Sequence, residues 1–266
     1  MASSALQPPV GEAPIRALLW DVDGTLAETE LEGHRRAFNQ AFADESLGWH
    51  WDVDTYLQLL RISGGRERIR VFCRDRGERL SEALIEQLQQ RKQLHYEQRV
   101  RSGAVGLRPG VCRLIQEAHA AGLIQAIVTT SGRASVQALA QGAAAGVIDA
   151  FAFWICGEDV KRKKPDPQGY QQAIEQLGMD SGAILAIEDS RNGLQAAHAA
   201  RLSCLVTLSE SSRWEAGADG HTGFEAALAV LDSLGDPGLP LRQHRGPGSP
   251  PEQVSLSWLH HLSGSR

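Results

Sequence analysis

Asp21-Val22-Asp23-Gly24-Thr25 follows directly on the apolar run Ile15, Ala17, Leu18, Leu19, Trp20. A short apolar run ending in acids and a Gly-Thr turn reads as a buried strand that carries two carboxylates to its carboxyl end. Residues i and i+2 of a strand point to the same side. Asp21 and Asp23 therefore project together, at the end of the strand where ligands of open α/β sheets bind. Two like charges this close repel and are costly to bury, so a counter-charge such as a divalent cation is implied.

The rhythm of the chain on either side sets the architecture. After the first strand, apolar residues recur at helical spacing over 31–42, over 52–62 and over 66–76, with Gly64-Gly65 breaking the pattern between the last two. Ser81 is placed to cap a long helix reaching residue 100, with Glu82 favourable in its first turn. This is a four-helix insertion without a strand. From Gly103 onward helices and strands alternate: helix from Pro109-Gly110 to near 122, strand 123–129, helix 133–140, strand 151–156, helix 167–177, strand 183–187, helix 193–200, strand 203–208. Alternation of this kind predicts an α/β fold, a three-layer parallel sheet of Rossmann-like type, with the helical cap inserted after its first strand. The expected division is a tail at 1–14, a core made of 15–27 and 104–234, a cap at 28–103 and an extension at 235–266. Residues 235–251, rich in Gly and Pro, read as irregular; 254–262 form a short docking helix through Leu256, Trp258, Leu259 and Leu262.

Composition narrows the function classes. The chain has 266 residues, 42% hydrophobic, with a net charge of −5. The acidic balance argues against nucleic-acid partners. No apolar run is long enough to span a bilayer, and no secretion signal is visible, so a cytoplasmic protein is expected; a monomer is expected too, although no sequence feature reports oligomeric state. Cys73, Cys112, Cys156 and Cys204 have no metal-ligand or redox spacing and read as buried, reduced thiols. No Gly-Lys-Ser/Thr occurs, which removes the phosphate-binding P-loop.

Four points fall at strand ends: Asp21/Asp23, Thr129-Thr130-Ser131, Lys163-Lys164-Pro165 and Glu188-Asp189-Ser190. In a parallel sheet these ends open onto one crevice. Glu188, Asp189 and Asp21 offer hard oxygen ligands suited to Mg²⁺. Thr129 and the amides after it can donate to phosphate oxygens. Lys164 adds a positive charge without competing for the metal. The set describes a metal-bound phosphoryl group with a carboxylate able to attack it. Plainer readings exist for each part. Asp-Gly is common turn chemistry, acids and Ser190 favour helix starts, a basic run is usually a wet surface, and Thr129 can be a plain strand end.

Taken together, Asp21-Val22-Asp23-Gly24-Thr25, Thr129, Lys164-Pro165 and Glu188-Asp189-Ser190 resemble the four motifs of the haloacid dehalogenase-like superfamily, in the same order. Thr25-Leu26-Ala27-Glu28-Thr29-Glu30, Gly33-His34-Arg35, Gly64-Gly65-Arg66-Glu67-Arg68-Ile69, Lys163-Lys164-Pro165-Asp166-Pro167 and Ile187-Glu188-Asp189-Ser190-Arg191-Asn192-Gly193-Leu194 resemble its CbbY-type branch. That branch is similar to β-phosphoglucomutase and includes sugar phosphatases. The resemblance covers residues 15–230. Trp20 stands where Phe is common, and Gly132-Arg133 departs from the usual pattern.

The resemblance implies Mg²⁺-dependent hydrolysis of a small phosphorylated sugar, such as xylulose 1,5-bisphosphate. Asp21 would be the nucleophile and Asp23 the general acid and then base. Thr129, Thr130 and Lys164 would bind phosphate, with Lys163 the alternative to Lys164. Asp21, Asp23 (through its backbone carbonyl), Glu188 and Asp189 would hold the metal, Glu188 directly or through water. Glu30 and His34, four residues apart on one helix face, would recognise the sugar. Gly65 and Arg66 would do so from the tight loop, with Arg68 the alternative to Arg66. The His260-His261 pair reads as surface. The rivals are a β-phosphoglucomutase-type phosphotransfer and, from another class, a non-catalytic phosphosugar-binding module.

Overall fold

β1 (Ala17–Trp20) is buried along its whole length, as the opening stretch of sequence requires. The computed structural model describes residues 14–264, so the tail expected at 1–14 lies, but for Pro14, outside the described residues. The other strands are β2 (Ile124–Val128), β3 (Phe151–Ile155), β4 (Ile184–Glu188), β5 (Ser203–Thr207), β6 (Ala229–Leu231) and β7 (Gln243–Arg245). They form one sheet in the order β3-β2-β1-β4-β5-β6-β7. β1 pairs in parallel with both β2 and β4, so the strand order reverses beside it. A reversal of this kind opens a crevice at the carboxyl ends, and Asp21 and Asp23 stand there.

Helices cover both faces. Alternate residues of each strand feed two separate apolar layers. Leu18, Trp20, Ile127, Leu185, Ile187 and Leu205 face α5 (Val111–Ala120) and α6 (Arg133–Gln141). Ala17, Leu19, Ala126, Val128, Ile184 and Ala186 face α7 (Gln168–Leu177) and α8 (Arg191–Ala199). Trp20, the departure from the family pattern, is fully buried, and its indole N–H donates to Gln125 Oε1 at 3.1 Å. Gln125 passes the demand on by donating to the Ile115 carbonyl at 3.0 Å, so the larger ring leaves no polar group stranded.

Between β1 and α5 the chain forms α1 (Arg36–Asp44), α2 (Val53–Leu59), α3 (Gly65–Asp75) and α4 (Glu82–Arg101). Asp52 and Ser81 cap α2 and α4, accepting from Thr55 N at 2.8 Å and Leu84 N at 3.2 Å. These helices have their own core, in which Phe38, Phe42, Trp49, Trp51 and Tyr56 pack ring against ring. The start of the first helix differs from expectation. Glu30–Arg35 is a π-helical turn, closed by His34 N donating to Thr29 O at 2.7 Å. Such turns are rare and recur at functional sites.

The two chain crossings into the insert lie side by side. Ala27 bridges Leu107, and Arg108 N donates to Leu26 O at 2.9 Å. The buried Arg108 guanidinium then donates to the carbonyls of Gly24, Thr207, Leu208 and Asp232 and pairs with Glu28 at 2.9 Å. It thereby ties both crossings to the ends of β5 and β6.

The extension departs from the irregular reading of 235–251. β7 lies within it and adds an antiparallel edge to an otherwise parallel sheet. α9 (Leu256–Ser263) buries Leu256, Leu259 and Leu262, with Ser255 capping it. The thiols also depart in one respect: Cys73, Cys156 and Cys204 are buried, whereas Cys112 is exposed. No helix among the described residues is long and apolar enough to cross a membrane.

Candidate active site

Asp21, Lys164, Glu188 and Asp189 meet at the carboxyl ends of β1 and β4. Lys164 Nζ lies 2.6 Å from Asp21 Oδ1 and 2.6 Å from Glu188 Oε1, and it donates to the Val128 carbonyl at 2.7 Å. Burial disfavours the lysine's charge, but Asp21 and Glu188 outweigh it and hold its pKa above the ordinary value. Asp21 goes the other way. Burial, reinforced by Glu188 and Asp23, overrides the help of Lys164 and pushes its carboxyl up to about 8. Asp189 is also pushed well up, by burial and then by Asp21, although Ser209 Oγ donates to its Oδ2 at 2.6 Å.

One carboxylate oxygen each from Asp21, Glu188 and Asp189 lie within 4.8 Å of one another. Glu188 accepts from Tyr170 and Lys164 through Oε1, while its buried Oε2 has no partner. An orphaned carboxylate oxygen beside two further acids, with one lysine to balance them, fits a hard divalent cation. The backbone is shaped around this group. Gly24 has φ of +81°, and a Cβ there would sit 2.1 Å from Asp189 Oδ2. A Cβ at Gly193 would sit 1.9 Å from Glu188 Oε2.

Asp23 is set apart from this acidic group by its own donors. His34 Nε2 lies 3.0 Å from Oδ1, Thr29 Oγ1 donates to the same oxygen, and Ser131 Oγ donates to Oδ2. Burial alone would raise its pKa. The facing His34, with the hydrogen bonds from His34, Ser131 and Thr29, outweighs burial and holds the carboxyl below the usual range. The two aspartates thus occupy opposite electrostatic settings two residues apart.

Around them runs a crevice of about 70 Å³ lined by Asp21, Asp23, Glu30, Arg68, Lys164 and Asp189, adjoining a wider space of about 360 Å³ below the inserted helices. Asp23, Glu30, Arg68 and Thr130 line both. Glu30 accepts from Tyr56 and lies 3.7 Å from Arg68 Nη1. His34 is buried and stacks on Tyr96 at 4.2 Å. Thr130 faces the crevice, whereas the Thr129 hydroxyl accepts from Ser131 N at 3.1 Å. Arg66 spends its guanidinium on exposed Glu86 at 2.7 Å, on the rim of the wider space, so of the two arginines the one that reaches the inner crevice is Arg68. Gly65 lies against Gln89 and Phe38, where a Cβ would stand 2.5 Å from Gln89 Oε1. Lys163 lines only the wider space and a side pocket. Arg133 turns away to Asp159 at 2.6 Å.

Lys92 is a crevice residue that sequence reasoning missed. It is 5% exposed, sits under the rings of Phe38 and Tyr96, and lines the wider space. Burial lowers its pKa to about 8 against the pull of Asp23 and Glu30. The signal was available. Lys92 falls on the buried stripe Ile85, Leu88, Tyr96, Val100 of α4, a lone cation on an inward face. In the sequence Ser131 reads only as a neighbour of Thr129; its bond to Asp23 needs the fold.

Comparison with known proteins agrees with this geometry. The haloacid dehalogenase-like hydrolase family matches residues 15–201. The chain is 42% identical to the plasmid-encoded protein CbbY of Cupriavidus necator over 264 residues, 93% of this chain and 97% of that protein. It is 46% identical to CbbY of Rhodobacter capsulatus over 200 residues, 75% and 88% of the two chains. Among solved structures, mutant CbbY from Rhodobacter sphaeroides in complex with xylulose-(1,5)bisphosphate superposes with a TM-score of 0.76 at 38% identity, covering 82% of this chain and 94% of that one. The chain belongs to the haloacid dehalogenase-like hydrolase family, as an enzyme of its CbbY group.

Proposed function

We propose that this enzyme is an Mg²⁺-dependent phosphatase of small phosphorylated sugars, with xylulose 1,5-bisphosphate or a closely related sugar bisphosphate as substrate, working through a phosphorylated Asp21. The observation that carries the reading is the juxtaposition of Asp21 with Lys164 on one side and with donor-held Asp23 on the other. The substrate class rests on the CbbY relative described in complex with that bisphosphate.

Asp21, Glu188 and Asp189, with the Asp23 carbonyl, would hold Mg²⁺, which supplies charge neutralisation at the phosphoryl oxygens and lowers the pKa of Asp21. Asp21 attacks phosphorus in line with the sugar oxygen, Lys164 faces the equatorial oxygens, and Thr129 and Thr130 orient them. Asp23, ionised in the free site, takes the proton of a phosphate monoester bound as its monoanion, passes it to the departing oxygen, and later takes one from the water that cleaves the Asp21 acyl phosphate. Glu30, His34, Gly65 and Arg68 meet the sugar from the inserted helices, which act as a cap that closes and excludes water. The same proposal has a cytoplasmic monomer acting without nucleic-acid or membrane partners.

The test is phosphate release from a panel of sugar mono- and bisphosphates, with Mg²⁺ and with chelator, beside Asp21→Asn. Mg²⁺-dependent release from pentulose bisphosphates, lost in the variant, is expected. Conversion of a hexose 1-phosphate to its 6-phosphate without release would assign a mutase instead. Binding without turnover of any panel member would assign a non-catalytic module.

A further inference from the structure

The turn that carries Glu30 and His34 to the crevice carries Arg35 and Arg36 to a different cavity. This cavity, about 600 Å³, lies on the inserted helices and shares no lining residue with the crevice. Arg35, Arg36, His50, His95 and Arg99 line it together with amide side chains, and none of its lining residues is acidic.

One of these cations is poorly matched. Arg35 is 9% exposed, and its Nε has no partner. Its Nη1 makes a long bond of 3.3 Å to the Trp51 carbonyl, which already accepts from Asn39 at 2.8 Å. Glu32, outside the lining, accepts from Arg36 at 2.6 Å and from Arg99 through both its carbonyl and, at 3.5 Å, its carboxylate. Asp44 pairs with His95 at 2.6 Å, and Asp52 accepts from the Thr55 amide while acting on His50 and Arg35 only through space. Burial and then repulsion from Arg36 and Arg35 work against the Arg99 charge, with Glu32 partly offsetting them. Water shares the charge of the half-exposed Arg36 and the partly exposed Arg99, but Arg35 is buried, cannot discharge and keeps its Nε without an acceptor, which an anion in the cavity would supply.

We propose that this cavity binds a small phosphorylated anion, as an effector site separate from the crevice. Three guanidiniums presented from two helices suit the several oxygens of a phosphoryl group, which arginine forks accept in charge-assisted pairs. The cavity is larger than a lone ion needs and admits a metabolite-sized ligand.

The experiment is a proton NMR titration of the full chain with inorganic pyrophosphate, without metal and at constant ionic strength. The ring signals of His50 and His95 are followed, assigned with His50→Gln and His95→Gln. Saturable shifts of both signals are expected. Arg99→Gln, at a partly exposed position and with an unchanged melting temperature as the check on folding, weakens the half-saturation about tenfold. Arg68→Gln, which removes a cation from the crevice, leaves it unchanged. No shift, a non-saturating drift, equal affinity in Arg99→Gln, or loss in Arg68→Gln would each overturn the proposal.

Discussion

His34 Nε2 lies 3.0 Å from Asp23 Oδ1, so a side chain of the inserted helices sets the charge of a carboxylate at the end of the sheet. The contact crosses from the π-helical turn to the loop after β1, and His34 is held against Tyr96 behind it. Asp23 can therefore be tuned by where the helices sit. With His34 removed, burial is left less opposed, and the Asp23 carboxyl rises. His34→Asn is expected to lower kcat about 10²-fold, the lower range for a general acid–base contribution. The acidic limb of its pH–rate profile should move to higher pH. An unmoved limb would detach His34 from Asp23.

The acidic group at β4 makes its own prediction for the protein without metal. Asp21 and Asp189 have pKa values raised above those of the unfolded chain. Between the two, the folded state binds more protons, so stability falls as pH rises from about 4 toward 8. Thermal melts in chelator should therefore show Tm dropping over that window. Saturating Mg²⁺ at about 100 Kd should restore ~2.7 kcal/mol. Asp189→Asn should melt higher than the parent in chelator and gain almost nothing from Mg²⁺.

Lys92 is predicted to trade stability for binding. Bringing a lysine from 10.5 to about 8 corresponds to ~3 kcal/mol set against folding below that pH. The unfolded chain holds this proton up to about 10.5, so the wild type gains stability as pH rises from about 8. Lys92→Met should raise Tm at pH 7 by several degrees. It should also raise KM for a bisphosphate about tenfold, as for one lost ionic contact. The wild-type KM should climb above pH 8 as the charge is lost, and the variant should lack that inflection.

Two contacts join the loop between α2 and α3 to the core: Arg61 over the Trp214 ring at 4.9 Å, and Ser63 Oγ donating to Lys164 O at 2.7 Å. A cation over an indole is worth about 0.5–1 kcal/mol at such a site. Arg61→Ala should lower kcat/KM severalfold. It should also abolish any substrate-induced change in Trp214 fluorescence, isolated by comparison with Trp214→Phe. A change that persists in Arg61→Ala would remove this contact from closure.

What the sequence disclosed follows element length and motif density. The strands from β1 to β5 lie in mostly apolar runs, and their alternation with helices makes the parallel sheet legible. β6 and β7 span three residues each, too short to show a period, and β7 stands among Gly and Pro. Motif residues could be assigned to strand ends, since strand direction alone decides which end they share. Side-chain choice was harder. Arg66 and Arg68 sit two apart on α3, and only the packed position of Glu30 and Tyr56 shows which one turns inward. The π turn changes the phase of the first helix by one residue, which a helical periodicity smooths over.

In the proposed mechanism phosphate passes through Asp21. Acid-quenched turnover of xylulose 1,5-bisphosphate carrying radiolabelled phosphate, with Mg²⁺, traps that intermediate. Label should be retained on the denatured protein, released by hydroxylamine, mapped to the peptide containing Asp21, and absent from Asp21→Asn. Mg²⁺-dependent phosphate release with no more label on the parent than on Asp21→Asn would contradict it.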